Sequence, residues 1–480
     1  MGFFSSILDF SNLINMNCKN ENPTIDKVHY VWINYLSNKE FVEHYKGIAY
    51  PLTNNNNYTF NKFNSEQEFA EKINDDLIFI NNINEKNDID SEVKLLKSNE
   101  SFELEINLNY NKSLSQIRDK ITKEKNIEKI NNNILFIYID SLSRSHFFRK
   151  MKSVTNFLRK FYSDENNTSN YESFQFLKYQ TFKKDYYKSS IQTMFYIKTK
   201  NEITNNRNIH ILSLLKENGY VTGQSANICS KEFYSYDFEK ESKFFQKTKI
   251  EEYDHENIAM FCDPFYFDDS KGTNRKNVKG INSSIKSCLY GKNSFEYVLE
   301  YGYQFWNKYN NNKKFLRLGF FDGNEKTGEV IKYLDNYLNQ FLIKLYEENL
   351  LENTIVFIAS GQGNTNTDLF NHYNFEDFWI EKYIGTLFII IDKNNLEYNE
   401  NNLKNIRKNQ QNMVTPYDIK ETLVAIILNT FKNKINEKEV ELEEFNIKGK
   451  SLFSYINPKE RNCQKYKQTT EDICRCNEFS

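Results

Sequence analysis

The sequence predicts an α/β fold, a three-layer sandwich around a mostly parallel sheet, and three observations carry that expectation. Short continuous apolar runs such as Ile134–Ile139, Thr354–Ser360 and Leu387–Ile391 have the length and composition of strands buried on both faces. Between such runs lie segments with apolar residues at helical spacing, for example Val330, Ile331, Leu334, Leu338, Phe341, Leu342 and Leu345. The runs also stop at polar or small residues: Asp140 and Ser141, Asp322 to Glu325, and Ser360 to Gly363. In parallel sheets the carboxyl ends of the strands are where ligands sit, so these three stops are where chemistry is expected.

Taken in order, residues 1 to about 125 read as an Asn-rich accessory region with strands in VHYVWINYL (28–36), DLIFI (76–80) and the alternating SFELEINLNY (101–110). The first core strand, 134–139, is followed by a helical pattern over 146–161. FQFLKYQ reads as a strand, Ile191–Ile197 as a helix, His210–Asn218 as a helix closed by Gly219, and YVTGQS as a strand. Then come the strand FLRLGFF (315–321), a long helix over 328–348, and strands at 354–360 and 387–392. The α/β domain is therefore expected at 126–455, with a Cys-containing tail at 456–480. No internal repeat at solenoid periods is visible.

Composition narrows the functional classes. With 63 Lys and Arg against 65 Asp and Glu the net charge is -2, without the clustered positive charge that nucleic-acid binding needs. The chain contains 69 Asn, many in short runs such as Asn54 to Asn57 and Asn131 to Asn133, which read as loop expansions between apolar segments. No segment reaches the roughly 18–20 apolar residues that cross a bilayer, so the chain as given is not expected to be an integral membrane protein. The start, MGFFSSILDFSNL, lacks a basic region and carries Asp9, which makes a poor signal peptide.

Seven cysteines are present, Cys18, Cys229, Cys262, Cys288, Cys463, Cys474 and Cys476, three of them in the final 18 residues. A tail without an apolar core is most simply held by disulfides. Sequons at Asn57, Asn99, Asn111, Asn166, Asn167 and Asn282 fit the same oxidising compartment, so an extracellular or secretory-lumen location is expected.

IDSLSRSHFFRKM, NGYVTGQSANICS, DHENIAMFCDP, DGNEKTGEVIKYLD, TIVFIASGQGN, TPYDIKETL and GKSLF with RNC and CRC follow one another over residues 134–476. In that order they resemble the sulfatase-like members of the alkaline phosphatase superfamily, in particular a eukaryotic group with a Cys-containing C-terminus. The resemblance implies an alkaline-phosphatase-like sandwich and cleavage of phosphate or sulfate esters by a metal-activated nucleophile. It implies Asp140 as a metal ligand, with a helix N-cap as the plainer alternative. It implies a nucleophile in DYYKSSIQTMF, where Ser189 followed by Gln192 fits best and Ser190 second; a Ser there also reads as a helix N-cap.

Three positions depart from that pattern. Where the resemblance implies Ser-Asp-His-Gly, this chain has Ser360, Gly361, Gln362 and Gly363; where it implies Asp-x-His-Glu, it has Asp322, Gly323, Asn324 and Glu325. Gly361 offers no ligand, and Gln362 and Asn324 offer amides where imidazoles are implied. A degenerate, non-catalytic homologue without a metal cofactor is therefore the leading expectation, binding an unidentified ligand in the former ester cleft. The alternative is a residual hydrolase or transferase that uses Ser189 and one zinc, calcium or magnesium ion. Its ligands would be Asp140 and Asp322, with His372 as a rescue ligand and His146 as another candidate. His255, Glu256 and Asp263 read as structural. Replacing Gly361 by Asp, with Gln362 and Asn324 by His, is the restoration that would test degeneracy.

Overall fold

The computed structural model describes residues 29–33, 60–63, 77–81, 102–106, 108–124, 132–162, 169–181, 194–199, 207–228, 253–257, 288–289, 292–324, 328–363, 380–393, 399–429 and 449–461. Four N-terminal strands, β1 (His29–Ile33), β2 (Phe60–Phe63), β3 (Leu77–Asn81) and β4 (Phe102–Ile106), form an antiparallel sheet ordered β2-β1-β3-β4. Helix α1 (Lys112–Glu124) leads into β5 (Asn133–Ile139), then α2 (Arg144–Lys150) and α3 (Lys152–Arg159), then β6 (Tyr171–Gln175). Helix α4 (Ile211–Glu217), β7 (Val221–Ala226) and β8 (His255–Asn257) follow. Next are α5 (Ser294–Lys308), β9 (Lys314–Phe320), α6 (Ile331–Glu347), β10 (Thr354–Ala359), β11 (Leu387–Asp392), α7 (Glu400–Asn409) and α8 (Pro416–Leu428).

The seven-stranded sheet runs β8-β7-β9-β5-β10-β11-β6. Every neighbouring pair from β8 to β10 is parallel, and β11 is antiparallel to both β10 and β6. Strand alternation divides β5 between two cores. Leu135, Ile137 and Ile139 join one cluster with α2, α3, α5 and α6, whereas Ile134, Phe136 and Tyr138 join the other with α4, α7 and α8. The three-layer sandwich expected from the sequence is thus the observed architecture, with helices covering both faces because both faces are apolar.

Some sequence expectations change. The helical pattern over 146–161 is two helices, broken at Met151, whose backbone takes φ -104° and ψ 57°. Tyr196–Thr199 is a strand paired with Arg207–His210, where a helix through Ile197 was expected; the run FYIKT is rich in strand formers. The boundary at 125 cuts through packed structure. Ile106 and Leu108 belong to the main core, and Arg118 of α1 is paired at 2.7 Å with Asp254.

The Asn runs are also more structural than their composition suggested. Asn132 and Asn133 are buried at the start of β5, and Asn133 Oδ1 accepts the backbone N–H of Lys314 on the neighbouring strand. On and just beyond α7, Asn402, Asn405, Asn409 and Asn412 donate to carbonyls of Phe453, Leu452, Ser454 and Ile456. A spacing of three or four residues puts these amides on one face, where they grip the segment 449–461. The expected tail therefore begins inside the fold: Ile456 and Arg461 are buried. Cys463, Cys474 and Cys476, and with them the disulfide expectation, lie outside the described residues.

Candidate functional site

Parallel register brings the carboxyl ends of β7, β9, β5 and β10 to one side of the sheet. Ala226 is level with Gly319, Phe320 with Ile139, and Ala359 with Tyr138, so Asn227, Asp322, Asp140 and Gly361 follow side by side. After β9 the chain turns through a single 3-10 turn, Asp322–Asn324. That turn presses on β5, since a Cβ on Gly323 would stand 2.3 Å from the backbone oxygen of Asp140.

Asp140 is buried, and both its carboxylate oxygens are engaged. Oδ1 accepts from the Tyr138 hydroxyl at 2.8 Å and Oδ2 from the Ser141 hydroxyl at 3.0 Å. Ser141 has φ 54°, a left-handed backbone that costs a non-glycine residue roughly 1 kcal/mol or more; its hydroxyl bond to Asp140 helps hold the turn. Asp140 is not the N-cap of α2; Ser143 is, accepting the His146 N–H at 3.0 Å.

Asp322 is fully buried. Its Oδ2 accepts from Asn227 Nδ2 at 2.8 Å, while among the described residues Oδ1 has no hydrogen-bond partner. Burial raises its pKa to about 6, with the Asn227 amide pulling weakly the other way. Asn227 is fully used: Nδ2 also donates to Ser294 Oγ at 3.0 Å, and Oδ1 accepts the Phe321 N–H at 2.9 Å.

The loop after β10 is held by its own backbone. Ser360 N–H donates to Thr386 O at 2.9 Å, the Thr386 N–H returns to Ser360 Oγ at 2.8 Å, and Gly363 N–H reaches Lys382 O at 2.9 Å. Residues 361–363 are thus where the strand turns into a loop, as read from the sequence. Gln362 is half-buried and makes no hydrogen bond among the described residues. At Gly361 an added Cβ would lie 2.2 Å from the Tyr138 hydroxyl.

The other candidates fall elsewhere. His146 uses both ring nitrogens, Nε2 donating to Gly328 O at 2.6 Å and Nδ1 accepting from Arg149 at 3.1 Å. Burial first and Arg149 second lower its pKa to about 4, so it is a neutral packing residue in a network with Glu381 and Ser143, and has no nitrogen left for a metal. His255 pairs with Gly223, early in β7, and bonds the Tyr309 hydroxyl at 2.7 Å, away from the strand ends. Glu256 accepts from Gln224, itself bonded to Arg317, in a row across β8, β7 and β9. Ser189, Ser190, Gln192, Asp263, Glu325 and His372 lie outside the described residues, and the side chain of Asn324 does as well.

Sequence reasoning missed Tyr138, Asn227 and Ser294 as parts of this site. Tyr138 read as one more aromatic of a buried strand; its position two residues before Asp140, on the same face, was the available signal.

Whether these donors suit a divalent cation can be tested on their chemistry. Among the described residues no three His, Cys, Asp or Glu gather as a ligand set. At the strand ends Asp140 and Asp322 are the two carboxylates described, Gly361 has no side chain, and Gln362 offers only an amide. The described residues do not fit a two-metal centre.

A family model described as "Protein of unknown function (DUF229)" matches residues 179–480, more than half of the sequence. The chain belongs to this family. No curated protein matches this DUF229 member. Among solved structures it is similar to the lipoteichoic acid synthase LtaP from Listeria monocytogenes, at 14% identity and a TM-score of 0.39, covering 72% of this chain and 82% of that one. It is also similar to the C-terminal periplasmic domain of EcEptC from Escherichia coli, at 10% identity and a TM-score of 0.37, covering 63% and 83%. A further likeness is to the PsFucS1 sulfatase from Pseudoalteromonas sp., at 11% identity and a TM-score of 0.35, covering 66% and 72%. The EcEptC domain has also been solved in complex with Zn. Among the described residues of this DUF229 chain, no helix is long and apolar enough to cross a membrane.

Proposed function

We propose that this DUF229 protein is a sulfatase-like, alkaline-phosphatase-like homologue whose metal site is degenerate and whose strand-end cleft serves a binding or structural role. The observation that carries the reading is Asp140. Its two oxygens accept from Tyr138 and Ser141, side chains of the same strand end, and beside it Gly361 offers no side chain where ester chemistry would need a further ligand on a cation. In this scheme the cofactor is absent, and the ligand is an unidentified molecule met outside the cell or in the secretory lumen, where the tail cysteines would be paired and the sequons occupied.

A second reading rests on one observation. Among the described residues Asp322 Oδ1 is a buried oxygen without a donor, and its turn lies against the Asp140 backbone. A single divalent ion held by Asp140 and Asp322, with Ser189 as nucleophile, would make the protein a residual phosphate- or sulfate-ester hydrolase or transferase.

Elemental analysis and ester assays on protein from a secretory host separate the two. Less than about a tenth of an equivalent of metal, unchanged after incubation with zinc, calcium or magnesium, is expected, together with no turnover of aryl phosphate or aryl sulfate. One equivalent lost in Asp140→Ala, with turnover lost in Ser189→Ala, would sink the non-catalytic reading.

A further inference from the structure

Tyr138 and Gly361 come from adjacent parallel strands, level with one another: Ala359 is opposite Tyr138, so Gly361 lies beside Asp140. Tyr138 is almost wholly buried, its ring packed 6.0 Å from that of Phe321, and its hydroxyl extends along the sheet towards the carboxyl ends. There it meets two things at once. It donates to Asp140 Oδ1 at 2.8 Å, and it occupies the space above Gly361, where a Cβ would stand 2.2 Å from the hydroxyl oxygen, 3.1 Å from Cζ and 3.2 Å from Cε2. Real Cβ contacts are never so short as the first of these, and Tyr138 is wedged among core residues, so it cannot simply swing aside.

We infer that Tyr138 is the positioning residue of the strand-end site: its phenol fills the volume of any side chain at position 361 and fixes Asp140 by hydrogen bonding. Tyr138 and Gly361 are a matched pair, in which the large residue demands the missing one. The inference deepens the reading of a degenerate metal site, and has one direct consequence for it. Gly361→Asp cannot restore a ligand while Tyr138 stays, because the new carboxylate must enter space the phenol holds. The triple restoration at Gly361, Gln362 and Asn324 needs a fourth change, at Tyr138.

Melting temperatures of the full chain in a double-mutant cycle test this, and they do so whatever the ester assays give. Y138F removes the hydroxyl and leaves the ring, and is expected to lower Tm by about 2–5 °C, the scale of one lost hydrogen bond to a carboxylate in a chain of this size. G361A is expected to lower Tm more in the parent, by about 3–8 °C from overpacking, and by less than half as much in the Y138F background. Gly302→Ala meets Leu318 at 2.9 Å on the opposite face and serves as control, with equal losses in both backgrounds. Y138F/G361S, which returns a hydroxyl to the vacated space, should melt above Y138F/G361A. Equal losses for G361A in both backgrounds, a Y138F melting point within about 1 °C of the parent, or the reverse order of the last two variants overturns the assignment. Should G361A fail to fold, recovery of folded Y138F/G361A supports the pairing, and without that recovery the Y138F melting point alone decides.

Discussion

Two fully buried aspartates, Asp322 and Asp418, solve the same problem in opposite ways. Asp418 opens α8 and is surrounded by donors: Thr415 N–H at 2.8 Å and Thr415 Oγ1 at 3.0 Å, the Lys450 N–H at 2.8 Å, and both terminal nitrogens of Arg461 at 3.1 and 2.7 Å. Asp322, just after β9, has one amide on one oxygen and, among the described residues, no side-chain donor on the other. Around Asp418 a guanidinium and three further donors take the place of water, and these bonds tie the helix start to the segment 449–461. Asp322 has no such replacement, so burial raises its pKa to about 6. The contrast separates a carboxylate that ties two segments of the scaffold together from one buried at a strand end with a single side-chain donor among the described residues.

Breaking the paired case should have the largest effect. Arg461→Ala leaves Asp418 buried without its counter-charge and is expected to cost about 3–5 kcal/mol, read from the urea midpoint at constant slope. A loss below about 1 kcal/mol would mean that water reaches Asp418 and that the two aspartates differ less than their burial says.

The unpaired case should respond with the opposite sign. Asp322 has a folded pKa raised above its unfolded value, so the stability it contributes is complete below about pH 4 and is lost as pH rises through about 6. The shift from 3.8 to about 6 corresponds to roughly 3 kcal/mol. Asp322→Asn, which keeps the shape without the charge, is therefore expected to stabilise the protein at pH 7.5 by about 2–3 kcal/mol and to flatten its stability between pH 4 and 7. Destabilisation by the same change would point to a cation held at that carboxylate and would favour the residual-hydrolase reading.

The smallest of the three effects concerns how the latch extends along α7. Asn409 donates at 2.8 Å to the carbonyls of both Leu452 and Ser454, and is fully buried. Asn409→Ala should cost about 1–2 kcal/mol and accelerate proteolysis within 449–461 before the rest of the domain. Uniform cleavage across the chain would show that this segment unfolds with the core and has no separate anchor.

Much of this fold was legible because burial on both faces of a parallel strand leaves a plain mark, a short run without polar residues, as in ILFIYI and TIVFIA. Asp140 and Asp322 could be picked out for the same reason, being the first charges after such runs. The role of Tyr138 was not legible. A tyrosine in a buried strand looks the same whether its hydroxyl caps a carboxylate or a loop carbonyl, and the residue it excludes lies 223 positions away at Gly361. The Asn face of α7 was hidden differently, since the composition bias that spreads Asn through the chain also masks the four amides that grip a strap.

What the sequence determined by itself was periodicity and its interruptions: strands, helices, the direction of the sheet through its alternation, and the small or polar residues Asp140, Asp322 and Gly361 at the strand ends. These are local properties, set by the backbone repeat and by which side chain occupies each step. Only the tertiary structure decided that Tyr138 occupies the space above Gly361, that Asp140 accepts two hydroxyls from its own strand end, and that Asp322 has one side-chain donor among the described residues where Asp418 has five donors. Hydrogen-bond satisfaction and packing are settled between segments far apart in the chain, at distances of a few ångströms that no one-dimensional pattern encodes.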